Sequence, residues 1–158
     1  MIHYVLGHAG GGKTIYCLNR FSMLENAVFF TGFRDEFDLK AVSGFDTINL
    51  GDKILEKCVV DFLKVYRKNL EDRNSFEKMM ENAIGEALNF KKATIFLDEF
   101  QLYCTDKVRD LILNAEQDFY IIHQFSKQLS DEYFSSIWKK SDKKYLLDPY
   151  QPSEFYKV

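Results

Sequence analysis

No run in these 158 residues approaches the ~20 consecutive apolar positions of a membrane-spanning helix. A charged amino-terminal region followed by an apolar stretch is missing too, so no secretory signal is legible. The only two prolines fall inside 149–158, and this segment reads as a surface tail following a domain over residues 1–148. The three cysteines, Cys17, Cys58 and Cys104, are far apart, without CxxC spacing or a histidine cluster. That spacing excludes a disulfide framework and a zinc site and leaves three reduced thiols. The chain also lacks basic excess. At a net charge of −3 it has no global attraction to nucleic acid, and any such contact must come from a local patch or from several subunits together. The expectation is a cytoplasmic-type protein with no membrane span.

Core-forming residues are present in quantity. Hydrophobic residues make up 46% and aromatics 16%, with fifteen Phe and nine Tyr, which argues against disorder. The apolar runs alternate in type. "IHYVL" (2–6), "AVFFTGF" (27–33), "FDTINL" (45–50), "ATIFLDEF" (93–100), "DFYIIHQF" (118–125) and "KKYLLD" (143–148) read as strands. Between them, "IYCLNRFSML" (15–24), "DKILEKCVVDFLKVYRKNL" (52–70), "NSFEKMMENAIGEALNF" (74–90), "TDKVRDLILNAEQ" (105–117) and "LSDEYFSSIWKK" (129–140) have helical spacing. Asn74 with Glu77 forms a capping-box pattern, and Thr105 is an N-cap candidate. Alternating strands and helices predict an α/β domain with a mainly parallel sheet covered on both faces.

"GHAGGGKT" (7–14) lies between the first strand and the first helix. Gly7-x-x-x-x-Gly12-Lys13-Thr14 matches the Walker A pattern in the context that pattern requires. Gly7, Gly10, Gly11 and Gly12 leave room for backbone N–H groups to converge on phosphate oxygens. The start of the following helix adds unsatisfied N–H groups and the positive end of its dipole, and Lys13, Thr14 and Ile15 complete the candidate phosphate-binding set. Lys13 supplies a charge to the β and γ phosphates, and Thr14 a hydroxyl for Mg²⁺. The ligands expected are ATP and Mg²⁺.

Such a loop serves kinases, switches and motors alike, and "TIFLDEF" helps to tell them apart. Asp98 stands at the carboxyl end of a strand, where ligands bind in sheets of this kind, and fits the Walker B role toward Mg²⁺. Glu99 fits the general base that polarises water. An acidic turn before a helix is the other reading of this pair. A further strand ends in His123-Gln124, and its Gln124 amide can contact a γ phosphate without adding charge or, alternatively, satisfy a loop backbone.

Across "GHAGGGKT", "ATIFLDEF" and "IIHQFSKQLSDEYFSSIWKKSDKKYLL", the chain resembles the FtsK–HerA superfamily of P-loop ATPases. The resemblance implies an ASCE-type, RecA-like P-loop NTPase fold, a three-layer αβα sandwich. It further implies a homo-oligomeric ring, commonly a hexamer, that hydrolyses ATP and pulls double-stranded DNA through its centre without sequence specificity. Lys13 and Thr14 would hold phosphate and metal, Asp98 the metal, Glu99 the water, and Gln124 the sensor role. An arginine from a neighbouring subunit would complete the site, Arg109 being the first candidate and Arg73 the second. A compact virus-encoded genome-packaging ATPase fits best, acting in host cytoplasm or at a virion vertex with a capsid or membrane-vertex partner. Zonula-occludens-toxin-like phage assembly ATPases are similar. The DNA-facing candidates are Lys139–Lys144 beside Trp138, Lys64 with Arg67 and Lys68, and Lys91-Lys92; solvated helix ends account for Lys139–Lys144 equally well. Two other classes stay open: a nucleotide or small-molecule kinase, and a non-hydrolysing nucleotide-dependent assembly factor.

Overall fold

The computed structural model describes residues 1–7, 13–31, 43–45, 57–62, 72–124, 132–147 and 156–157. The expected glycine loop at 8–12, the "QL" segment at 125–131 and the basic group at 64–68 lie outside the described residues, as does most of the strand expected at 45–50.

Among the described residues, eight strands form one sheet: β1 (Ile2–Gly7), β2 (Ala27–Thr31), β3 (Ser43–Phe45), β4 (Lys57–Asp61), β5 (Thr94–Leu97), β6 (Asp118–Gln124), β7 (Lys143–Leu147) and β8 (Tyr156–Lys157). Their order is β3-β4-β2-β5-β6-β1-β7-β8. All pairs are parallel except β7 with β8, so the last residues add a short antiparallel edge. The described helices are α1 (Lys13–Ser22), α2 (Arg73–Ala87), α3 (Asp106–Asn114) and α4 (Glu132–Lys140), with a 3₁₀ turn at Phe100–Leu102.

Parallel strands covered on both faces read as continuous apolar runs, and β1 and β2 are buried at every position. Alternate residues of each strand face opposite layers. Tyr4, Leu6, Val28, Phe30, Ile95, Leu97, Phe119 and Ile121 pack against α2, α3 and α4 through Phe76, Met80, Ile84, Val108, Ile112, Phe134 and Ile137. Val5, Phe29, Phe96, Tyr120 and Ile122 pack against α1 through Cys17 and Phe21. The result is an α/β domain with a mainly parallel sheet between helical layers, compatible with a RecA-like arrangement.

Two sequence expectations are corrected. The helix expected over 52–70 does not form at 57–61, where the chain is strand β4, paired with both β2 and β3. Its Lys-Cys-Val-Val-Asp run carries β-branched neighbours, and a vacant ladder beside β2 outweighs the helical spacing of the longer window. The cap of α2 is Asp72 rather than Asn74: its carboxylate accepts from the Ser75 backbone N–H at 3.2 Å and from the Ser75 hydroxyl. At α3 the expected cap holds, Thr105 Oγ1 accepting from the Val108 backbone N–H at 3.2 Å.

Candidate functional site

The strand connections fix where a ligand can sit. From β1 the chain passes through α1, on one face, to β2, beyond β5. From β6 it passes through α4, on the opposite face, to β7, on the other side of β1. The chain therefore turns opposite ways from two adjacent strands, which opens a crevice at the carboxyl ends of β1 and β6. Gly7 and Gln124, the last residues of those strands, are directly paired there. The amino end of α1, beginning at Lys13, lies at the same edge with its first-turn N–H groups unused by the helix.

Three expected residues converge on this edge. Lys13 is buried, 8% exposed. Burial pushes its ammonium below the ordinary lysine range, while Glu99 and then Asp98 pull it back up. Asp98 follows β5 and, two residues beyond Phe96, continues the face that meets α1. It is fully buried and held by Thr31 Oγ1, which donates to Oδ2 at 3.1 Å, and by the Glu99 backbone N–H, which donates to Oδ1 at 2.9 Å. Its carboxyl is pushed up to about 7, by burial first and by Glu99 second; the two hydrogen bonds and Lys13 oppose the shift. An oxygen donor that is costly to ionise without a countercharge suits a hard cation such as Mg²⁺.

Glu99 has φ 50° and ψ 44°, the left-handed region, and is the positive-φ non-glycine residue of the described chain. A side chain in this region costs about 1–2 kcal/mol. What holds it is a clamp. The Gln101 side-chain amide donates to Glu99 Oε2, and the same amide's oxygen accepts from the Gln124 backbone N–H at 3.2 Å. Beneath the turn, the Tyr103 hydroxyl donates to the Asp98 carbonyl. One neutral side chain thus ties the acidic turn after β5 to the tip of β6. Gln101 was not singled out in the sequence, although its place two residues after Glu99 puts it on the same short turn.

His123, beside Gln124, points to the opposite face, under α4. It is fully buried, its Nδ1 2.7 Å from the Tyr4 hydroxyl and its ring 4.6 Å from that of Phe134. Its Nε2 has no hydrogen-bond partner among the described residues. Burial, and then the Lys13 charge, lower its pKa to about 4, so the ring is neutral at pH 7.

The remaining candidates stand as follows. Thr14 and Ile15 lie in the first turn of α1, where Ile15 is 64% exposed; the side chain of Thr14 is outside the described residues, as are Gly10, Gly11 and Gly12. Arg109 is engaged by its own helix, 3.3 Å from both Asp106 and Asp110. Arg73 opens α2, its side chain not described. Among the described residues, no helix is long and apolar enough to cross a membrane. Lys139 and Lys140 are exposed at the end of α4, and Lys144 Nζ sits 5.8 Å from the centre of the Trp138 ring. In comparisons with known proteins, no family model matches the chain and no curated protein matches it.

Proposed function

We propose that this chain is a P-loop ATPase of the ASCE, RecA-like type, which uses ATP hydrolysis to move double-stranded DNA as a homo-oligomeric ring. The observation that carries the hydrolytic part is the clamp: Glu99, in a left-handed turn, is tied through Gln101 to the tip of β6, and Lys13 is buried within electrostatic reach of Asp98 and Glu99. The insertion of β6 between the glycine-loop strand and the acidic strand supports the same reading, since it brings Gln124 level with Gly7.

In this reading, the α1 amino end and Lys13 hold the β and γ phosphates of ATP. Asp98 and Thr14 are the residues that would hold Mg²⁺, which when bound neutralises charge on the phosphate oxygens. Glu99 orients a water and takes its proton as the water attacks the γ phosphorus, the bond from that phosphorus to the β–γ bridging oxygen breaking to release ADP. Gln101 is a positioning residue that fixes the Glu99 carboxylate. The Gln124 amide contacts the γ phosphate without adding a charge. A carboxylate braced to meet water is what hydrolysis needs, and transfer to a nucleoside monophosphate requires no such second carboxylate; this favours an ATPase over a nucleotide kinase. The use of the energy for DNA, a viral packaging role and the trans arginine rest on the sequence resemblance.

The test is ATP turnover by the full chain with and without double-stranded DNA. DNA-stimulated release of phosphate is expected, lost by about 10²–10⁴-fold in Glu99→Gln with ATP binding retained. Phosphate transfer to a nucleoside monophosphate without water-dependent turnover overturns the proposal in favour of a kinase. ATP-dependent assembly without turnover overturns it in favour of an assembly factor.

A further inference from the structure

Beneath α1, four rings stand in single file across four neighbouring strands. Phe29 of β2 stacks on Phe96 of β5, with centroids 5.0 Å apart and planes within 6°. Phe96 stacks on Tyr120 of β6 at 4.6 Å and 10°, and Tyr120 on His3 of β1 at 4.2 Å and 4°. The file follows the ladder register, which sets Phe29 beside Phe96, Phe96 beside Tyr120, and Tyr120 beside His3. The next position in that row, on β7, is Lys143. An aliphatic amine cannot continue a stack of rings, so the file ends at His3.

Against that end lies a cavity of about 350 Å³, lined by His3, Tyr16, Arg20, Tyr120, Lys143 and Tyr145, with Asn19 and Met23 at its α1 side. Its described lining carries two cations and no carboxylate. An acidic group that acts on His3 is Asp118, whose carboxylate is 2.9 Å from the amino-terminal ammonium. Arg20 is oriented by its Nε, which donates to the Tyr120 hydroxyl at 2.9 Å. His3 is nine-tenths buried, and its Nδ1 has no hydrogen-bond partner among the described residues. The cavity therefore combines an aromatic face, an unused ring nitrogen and two positive charges. It lies ~13 Å down β1 from Gly7, at about 3.3 Å per residue, away from the carboxyl-edge site.

We propose that this cavity binds a nucleotide, its base packed against the rings that line it with a polar edge toward His3 Nδ1, and its phosphate held by Arg20 and Lys143. Stacking on an aromatic platform with adjacent cations is how sequence-independent nucleotide contacts are made, at ~1–3 kcal/mol per base. The volume suits one mononucleotide unit, either free or within a single strand. The site stands apart from the ATPase reading and does not depend on it.

The experiment uses the full chain carrying Lys13→Ala, which removes the lysine of the carboxyl-edge site, with ¹³C-labelled histidine rings read by NMR. The probes are phenyl phosphate, AMP, a short oligo-dT and inorganic phosphate. The His3 ring signal is expected to move with the first three, each bound about tenfold or more tighter than inorganic phosphate. Arg20→Met and Lys143→Met are each expected to weaken binding about tenfold; either one suffices if the other fails to fold. AMP binding as well as the oligonucleotide identifies a free nucleotide, and a tighter oligonucleotide identifies a strand; both support the site. An unmoved His3 signal with the aromatic probes at millimolar concentration overturns it. So does inorganic phosphate binding as well as phenyl phosphate, or binding indifferent to both substitutions in folded protein.

Discussion

At the scale of single residues, Asp98, His3 and His123 have shifted protonation of opposite consequence. Burial, assisted by Lys143, lowers the His3 pKa to about 4, and burial with the Lys13 charge does the same at His123. The folded histidines thus stay neutral while the unfolded ones take up protons below about 6.5, and stability is lost as pH falls from there toward 4. Asp98 acts the other way: folded at about 7 against an unfolded value near 3.9, its stability contribution is lost as pH rises between those values. Between pH 5 and 6 the unfolded chain carries two extra histidine protons and the folded chain one at Asp98. These three groups then raise stability by about 1.4 kcal/mol per pH unit. In Asp98→Asn the opposing proton is gone, and the slope rises by a further ~1.4 kcal/mol per unit. Denaturant unfolding across that range measures the difference, and an unchanged slope refutes it.

Gln101 supplies a second residue-scale prediction. Gln101→Ala removes no phosphate contact but releases Glu99 from its clamp. Turnover should fall by about 10- to 100-fold with ATP affinity held, a milder version of Glu99→Gln. Gln101→Glu should be worse, because a second carboxylate then meets the first. ATP affinity falling in step with turnover would show that Gln101 acts on binding instead.

At the scale of elements, caps and turns decide where pieces begin. Thr105 both caps α3 and donates to Glu81 Oε1 on α2 at 2.8 Å, so one hydroxyl starts a helix and joins two. Thr105→Ala should cost about 1–2 kcal/mol, read as a lowered unfolding midpoint, with Thr105→Ser recovering most of it. The helix α1 shows how a period can be right while the buried face is not obvious. The apolar positions Ile15, Leu18, Phe21 and Leu24 have helical spacing, yet Cys17 and Phe21 are the pair that enters the core, and Ile15 stays exposed. A small thiol between two larger residues does not announce itself as the contact. Its spacing of four from Phe21 does place both on one side of the helix.

At the scale of the whole molecule, the sheet is a common wall for two cores. Phe96 is buried on the α1 side, between Phe29 and Tyr120 and in edge contact with Phe21. Phe96→Ala empties the middle of the ring file and should cost about 3–5 kcal/mol in unfolding free energy. Exposed Ile15→Ser and Met23→Ser should each stay within about 0.5 kcal/mol of wild type. If they destabilise as much as Phe96→Ala, that face of α1 is covered in the native protein.

The alternation of strand and helix, a helix directly after the glycine loop, the cap at Thr105 and a strand running into Asp98-Glu99 were all legible in the sequence. They depend on residues a few positions apart, whose geometry is set by local propensity, hydrogen bonding and period. β4 was not legible, because its strand form depends on β2 and β3, which are far away in the chain and decide its hydrogen bonding. The same reason hid Gln101 and the ring file. An amide that spans from Glu99 to Gln124, and rings drawn from β2, β5, β6 and β1, exist only once the sheet order brings those strands side by side. Sequence determined which residues carry charge and which segments extend or coil. Only the tertiary structure decided which of them meet, because the strand register, set by burial on both faces, is a property of the assembled sheet.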